Sequence, residues 1–343
     1  MKDRRIATLA DVARRAQVST ATVSRCLNET GRVSRDARAR VMEAVRELGY
    51  SPNFNARALA ARRTNTVGAV IPTMDNAIFS RGLQAFQEEL HRKGLTLLVA
   101  SSQYDMHTEE EQIRTLVARG ADALLLIGYD RTPGIYRFLE ERGVARLIAW
   151  AHDPASREVA IGFDNRAAMQ ALAARVIALG HRRLAFISAE RRNNDRARER
   201  VEGVRAAMAA GGLDPATLEV VETPYAIENG ARACDALLSR PVRPSAIMCG
   251  NDVLAAGAVR AALKAGLRVP RDVSITGFDD IELASVITPA LTTVHVPHRQ
   301  MGRDAARILV SMLADGTDGV LGRRLETTLC LRETLAAPQD ETD

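Results

Sequence analysis

The stretch Val18-Ser-Thr-Ala-Thr-Val-Ser-Arg-Cys-Leu27 decides how this chain is read. Ser19 stands where a helix N-cap belongs, its hydroxyl able to accept from the first unbonded backbone N–H groups, and Val18 and Val23 have the spacing of a hydrophobic staple. A helix therefore begins here. Upstream, Thr8-Leu-Ala-Asp11 has the pattern of a capping box, and Val12, Ala13 and Ala16 lay an apolar stripe along a short helix from Leu9 to near Ala16. Two short helices joined by so few residues make a helix-turn-helix, whose second helix would lie in a DNA major groove.

Working outward, a third helix is expected from Arg35 to Leu48: Ser34 caps it, Val41, Val45 and Leu48 keep helical spacing, and Gly49 ends it. Ser51-Pro52 then breaks the helix, and Asn53 to Ala61 carries enough Ala, Arg and Leu for one or two turns that would be too short to persist alone in water. In the second helix Thr20, Ala21 and Arg25 share one face. Arg25 discriminates best, because a guanidinium bonds guanine O6 and N7 together, while Ala21 offers only apolar contact.

With these residues in view, residues 8 to 63 resemble the headpiece of the lactose-repressor (LacI) family of bacterial transcription regulators. The matching residues are Thr8-Leu-Ala-Asp-Val-Ala13, Val18 to Arg25, Val33-Ser34, Leu48-Gly-Tyr-Ser-Pro-Asn53 and Ala56-Arg-Ala-Leu59. The resemblance implies that Thr20, Ala21 and Arg25 read operator bases. It places Thr8, Ser19, Thr22, Ser24, Asn28, Ser34, Tyr50, Asn53 and Arg57 at phosphates, and sets Ala56 and Leu59 of a hinge helix in the minor groove, with Leu59 as the wedge at the central step. Several of the hydroxyl residues double as helix caps, so deleting one should weaken folding and binding together.

Charge supports this division. Residues 1 to 63 hold 14 Lys and Arg against 6 Asp and Glu, a net of +8, and the remainder holds 33 against 36, a net of −3. All the excess positive charge thus lies on the small N-terminal piece, as an approach to phosphates requires. The 343 residues suit about two domains, and 46% hydrophobic with 26% charged residues is ordinary for a globular protein. No apolar run reaches the roughly 18 residues that a bilayer span needs, and no signal region follows Met1, so a cytoplasmic, nucleoid-associated protein without a membrane partner is expected. Cys26, Cys234, Cys249 and Cys330 form no Cys-x-x-Cys pair, and the six His show no metal-ligand spacing; buried reduced thiols, no metal and no cofactor are the expectation.

From Thr66 the pattern changes to short apolar runs alternating with amphipathic segments. Strands are expected at Val67–Ile71, Leu95–Ala100, Ala123–Ile127, Leu147–Trp150, Leu184–Ile187, Leu218–Val221, Ala246–Cys249 and Val273–Thr276, with helices near 80–93, 109–119, 133–142, 165–179, 197–210, 228–239 and 252–265. Such alternation implies two doubly wound α/β lobes, and no Gly-x-Gly-x-x-Gly or P-loop marks a nucleotide site. This region resembles the periplasmic-binding-protein-like core of the same family, through Val70-Ile-Pro72, Gly162-Phe-Asp-Asn165, Leu179-Gly-His-Arg182, Arg200-Val-Glu-Gly203, Cys249-Gly-Asn-Asp252, Gly266-Leu-Arg-Val-Pro270, Gly277-Phe-Asp-Asp280 and Thr288-Pro-Ala-Leu-Thr-Thr293.

The resemblance implies an all-α helix-turn-helix headpiece (1–51), a hinge and linker (52–65), and an α/β effector-binding and dimerisation core (66–338). One lobe would take about 66–162 and 294–324 and the other about 163–293 and 325–338, before a polar tail at 339–343. In this fold the effector lies between the lobes, where loops at strand carboxyl ends converge. Mapped by motif, its candidates are Ile78, Phe79, Arg200, Tyr225, Asn251 and Asp279, with Trp150 standing where many relatives carry Asp. The polar members can hold paired hydroxyls and the aromatic ones can cover an apolar sugar face, while Trp150 reads equally as a stacking platform or as a core or rim residue. The expected function is a sequence-specific transcriptional regulator, a repressor that binds a pseudopalindromic operator as a homodimer and answers to a small-molecule effector, a sugar or sugar acid, as inducer or corepressor. The alternatives are a solute-binding protein of the transport class, for which the basic headpiece has no use, and an α/β enzyme, for which no catalytic constellation is present.

Overall fold

A computed structural model describes residues 7–28, 33–51, 63–75 and 77–339. The expected hinge helix, with Asn53, Ala56, Arg57 and Leu59, and tail residues 340–343 lie outside the described residues. The chain divides between Thr64 and Asn65 into two units.

In the first unit, α1 (Leu9–Ala16), α2 (Thr20–Asn28) and α3 (Arg35–Leu48) enclose Val12, Ala13, Ala16, Val23, Cys26, Val41 and Ala44. Both partners of the capping box at α1 are made: Thr8 Oγ1 accepts from the Asp11 N–H at 3.3 Å, and an Asp11 carboxylate oxygen accepts from the Thr8 N–H at 2.9 Å. Ser19 Oγ accepts from the Thr22 N–H at 3.1 Å, and Ser34 Oγ from the Ala37 N–H at 3.2 Å. Val18 packs beside buried Val23, as a staple should. The turn between α1 and α2 is closed by Gln17 in the left-handed region, φ 53°, and Gly49 ends α3 at φ 58°.

The second unit carries two parallel sheets. The first is ordered β11-β5-β4-β3-β1-β2, from β1 (Thr66–Ile71), β2 (Thr96–Ser101), β3 (Ala123–Ile127), β4 (Ala145–Ala149), β5 (Ala160–Gly162) and the late β11 (Arg323–Arg324). The second is ordered β7-β6-β8-β9, from β6 (Leu184–Ser188), β7 (Glu219–Glu222), β8 (Ala246–Cys249) and β9 (Ser274–Thr276). Helices α4 (Ala77–Arg92), α5 (Met106–Ala118) and α6 (Pro133–Glu141) connect strands of the first sheet, and α7 (Asn165–Ala178), α8 (Asp195–Ala210), α9 (Ile227–Leu238) and α10 (Asp252–Lys264) serve the second. Central strands such as β3 and β8 are buried along their whole length, which is why they read as unbroken apolar runs.

After the short α11 (Leu283–Val286), β10 (Thr293–His295) pairs antiparallel with β12 (Thr328–Cys330), outside both sheets. Between these strands the chain forms α12 (His298–Asp315), which packs on α4. The two helices meet at glycines: a Cβ on Gly302 would lie 1.9 Å from the Gly82 carbonyl oxygen, and a Cβ on Gly82 would lie 2.5 Å from the Trp150 indole. Only glycine allows this approach, and it is what leaves room for the indole at the end of β4. Cys26, Cys234 and Cys249 are buried free thiols, whereas Cys330 departs from expectation in being only partly buried, because β12 is paired on one side alone.

Candidate functional sites

In the headpiece, Thr20, Ala21 and Arg25 are exposed on α2, and Arg25 Nε donates to the Ala21 carbonyl at 3.3 Å along that face. Thr8, Ser19 and Ser34 are exposed as well as capping, while Thr22, Ser24 and Tyr50 are half-buried and Asn28 lies at the end of α2. A hydroxyl that accepts a helix N–H retains its own hydrogen for a phosphate oxygen, so capping and phosphate binding are compatible at Ser34. The nearby bases Arg14 and Arg15 are engaged with Asp11 and Glu47.

In the core, the expected residues gather at the carboxyl ends of the strands. Trp150 follows β4 with φ 61° and Asp279 follows β9 with φ 101°, left-handed backbones that side chains adopt only where surroundings enforce them. Phe79, on α4, meets the Trp150 ring edge-on at 5.4 Å between centroids. Arg200, on α8, is buried: Nε donates to Asn165 Oδ1 at 2.9 Å, a terminal nitrogen donates to the Gly250 carbonyl at 2.5 Å, and the guanidinium lies 4.0 Å over the Phe278 ring. Asn165 in turn donates to the Trp150 carbonyl at 3.1 Å. Asn251 caps α10, accepting from the Leu254 N–H at 2.9 Å. Ile78 belongs to the apolar cluster that holds Phe79 and Trp150.

His298 completes this group. It stacks on Trp150 at 6.3 Å between centroids, and the indole Nε1 donates to its Nδ1 at 3.2 Å. An indole N–H only donates, so Nδ1 accepts and the proton of the neutral ring sits on Nε2, which lies 3.8 Å from an Asp279 carboxylate oxygen. Burial pushes His298 down to about 3, which keeps the ring neutral, and burial pushes Asp279 up to about 6 against the opposing pull of Arg200 and Arg196. The Arg200 guanidinium is also 3.8 Å from Asp279. Both Asp279 carboxylate oxygens, Asn251 Nδ2, His298 Nε2, Ser188 Oγ and Thr276 Oγ1 are buried without a hydrogen-bond partner among the described residues. Buried polar groups are almost always paired, so the Asp279 carboxylate, 3.8 Å from both Arg200 and His298 without a hydrogen bond to either, can accept from the donors of another molecule.

Outside this group a cleft of about 740 Å³ opens between the sheets, lined by Met74, Gln103 and Tyr104 from the first and by Glu190, Pro224 and Tyr225 from the second, among others. Tyr225 is the expected residue that reaches the cleft, facing Tyr104 at 5.9 Å. Two links cross between the lobes: both terminal nitrogens of Arg198 donate to the Asp130 carboxylate at 2.6 Å each, and an Asp195 carboxylate oxygen accepts from the Tyr129 N–H at 2.7 Å. Sequence reading missed His298, Asn165, Phe163 and Phe278. The repeated Gly-Phe-Asp of 162–164 and 277–279 was a usable signal for the last two, whose rings stack at 5.9 Å. Among the described residues no cluster of His, Cys, Asp and Glu is placed to hold a metal, and no helix is long and apolar enough to cross a membrane.

Comparison with known proteins bears on both sites. Residues 8–53 match the family model for bacterial regulatory proteins, lacI family, and residues 173–335 match that for the periplasmic binding protein-like domain. The chain is 34% identical over 308 residues to the HTH-type transcriptional regulator GntR of Pseudomonas aeruginosa, covering 90% of this chain and 89% of that one. It is 33% identical over 329 residues to the ribose operon repressor of Escherichia coli, covering 96% and 99%. Its fold matches the crystal structure of the lac repressor dimer bound to operator and the anti-inducer ONPF with a TM-score of 0.86 at 26% identity, over 97% of this chain and all of that one.

Proposed function

The chain belongs to the lacI family of bacterial regulatory proteins, a transcriptional regulator with a helix-turn-helix DNA-binding region and an effector-binding core, and from that premise we propose how its parts work. Two copies pair through residues 66–338 and present two headpieces to adjacent half-sites of a pseudopalindromic operator. Thr20, Ala21 and Arg25 read bases; Thr8, Ser19, Thr22, Ser24, Asn28, Ser34, Tyr50, Asn53 and Arg57 meet phosphates; Ala56 and Leu59 enter the minor groove. The relatives named as repressors support repression as the default output.

The effector is a carbohydrate held between the lobes by Arg200, Asn251 and Asp279, with Phe79, Trp150 and Tyr225 against its apolar faces and Ile78 behind them. The observation that carries this reading is the Asp279 carboxylate, buried and without a hydrogen-bond partner among the described residues beside the unpartnered donors of Asn251 and His298. A sugar hydroxyl both donates and accepts, so a ring of hydroxyls pairs with this mixed set where an apolar ligand would leave it unsatisfied. Asp279 has no exposed surface, so entry requires the lobes to part. The effector thereby acts on their relative orientation, and a ligand with unequal affinity for two orientations shifts their populations and hence operator affinity.

Operator selection tests the reading. Full-length protein is incubated with random duplex DNA at stated salt, bound DNA is sequenced, and the enriched site is challenged with sugars, sugar acids and purines. A palindrome released or tightened by one carbohydrate is the expected result. No enriched site overturns the DNA-reading role, and a response to a purine alone overturns the carbohydrate.

A further inference from the structure

The cleft is larger and differently charged than a single sugar ring at Asp279 requires. Its volume of about 740 Å³ lies in the range of sites that enclose a drug-sized molecule, and it stands outside the polar group rather than within it. Among the described residues its lining carries the carboxylates of Asp75 and Glu190 and no Lys, Arg or His, while the cations nearest its two tyrosines, Arg196 and Arg200, lie behind them. Met74, Pro224 and Val253 supply apolar surface on both sides.

Tyr104 and Tyr225 stand between this outer cleft and the inner group. Each lines the cleft, and the charges of Arg196, Arg200 and Asp279 act on both phenols. Gln103 and Tyr104 hold consecutive left-handed backbones, φ 53° and 61°, with no glycine to relieve them. Strain of that kind persists where the fold enforces it, and here it aims one aromatic ring at its counterpart on the other lobe. Paired phenols, with apolar faces and polar tips, suit a sugar ring held between them.

Resting on the reading that the interlobe cleft is the effector site, we propose that the effector is a neutral glycoside of two sugar units. One unit pairs with Asp279, Arg200 and Asn251, and the second lodges in the outer cleft against Tyr104 and Tyr225, with Gln103 and Glu190 at its hydroxyls. A free monosaccharide leaves the outer subsite unused, and a sugar acid or sugar phosphate meets Asp75 and Glu190.

Trp150 is the chain's single tryptophan, so its emission reports binding in the full-length protein. Titration with cellobiose, maltose, lactose and sucrose, with the monosaccharides that compose them, and with gluconate and glucose 6-phosphate should find one disaccharide at least tenfold tighter than its constituents and than either anion. Tyr104→Ala should cost that disaccharide more than tenfold and its constituents less than threefold. A monosaccharide or anion that binds as tightly as any disaccharide overturns the second subsite while leaving the carbohydrate reading intact; no response to any carbohydrate overturns both. The comparison within the wild-type protein decides the matter even if the variant fails to fold.

Discussion

The indole nitrogen of Trp150 and Nδ1 of His298 are joined by a 3.2 Å hydrogen bond across 148 positions of sequence. The bond fixes the imidazole as the Nε2–H tautomer, with Nε2 3.8 Å from an Asp279 carboxylate oxygen. Two residues of one lobe thereby set the polar character of a site whose carboxylate belongs to the other.

Removing the acceptor isolates this bond. His298→Leu leaves a buried indole N–H unpaired, at an expected cost of about 1–3 kcal/mol in unfolding free energy. Trp150→Phe in the same background removes the orphaned donor, so urea denaturation of the two single variants and the double should give a coupling clearly different from zero. Strict additivity would mean that the bond contributes nothing.

Asp279 makes the core's stability depend on pH in a defined direction. Burial raises its pKa from 3.8 to about 6, so between these values the unfolded chain is ionised where the folded one holds a proton. The stabilisation from that proton is complete below pH 3.8 and lost as pH rises through 6, on the order of 3 kcal/mol in all. Buried Asp252 is shifted in the same direction, so the measurement is a difference: Asp279→Asn should flatten the fall in stability across pH 4 to 6.5 relative to wild type. Effector affinity should run the other way, strengthening as pH rises through 6, because the carboxylate accepts more hydroxyl bonds than the acid. His298, held near 3, does not titrate in this window.

Arg198 and Asp130 join the two lobes through a bidentate ion pair. The side chains are 43% and 22% exposed, so the pair is expected to contribute about 0.2–1 kcal/mol. Arg198→Ala should leave the unfolding free energy nearly unchanged and shift the effector midpoint by up to fivefold. A midpoint that does not move would show that the pair is indifferent to lobe closure.

Arg25→Ala should weaken operator binding by about 1–3 kcal/mol and relax preference at one base pair of each half-site. Competition binding against operators altered one position at a time separates this from a phosphate contact, which would weaken all sequences alike and lower the salt dependence.

What could be read from sequence was what is local. The caps at Thr8, Ser19 and Ser34 act within three residues of themselves, and fully buried strands such as β3 announce themselves as apolar runs. The short β5 and β11, the β10–β12 pair and the helix from His298 went unread, because strands of two or three residues carry no periodicity and their pairing joins distant segments. The same limit applied to the site. Arg200, Asn251 and Asp279 were found through motifs that surround them, but His298 looked like a lone histidine until the fold set it against Trp150. The role of Trp150 is likewise a matter of neighbours: it is enclosed by Phe79, His298 and the space left by Gly82, which makes it a wall of the buried group rather than a rim residue.

In the proposed mechanism a ligand bound at Asp279 controls the grip on DNA. This is tested most directly by titrating the operator-bound protein with the carbohydrate that binds it, following Trp150 emission and operator affinity together. The two signals should change with one midpoint, and Asp279→Asn should lose both while still binding the operator without ligand. Operator affinity that responds in wild type and variant alike, with Trp150 emission unmoved, would place the controlling site elsewhere than at Asp279.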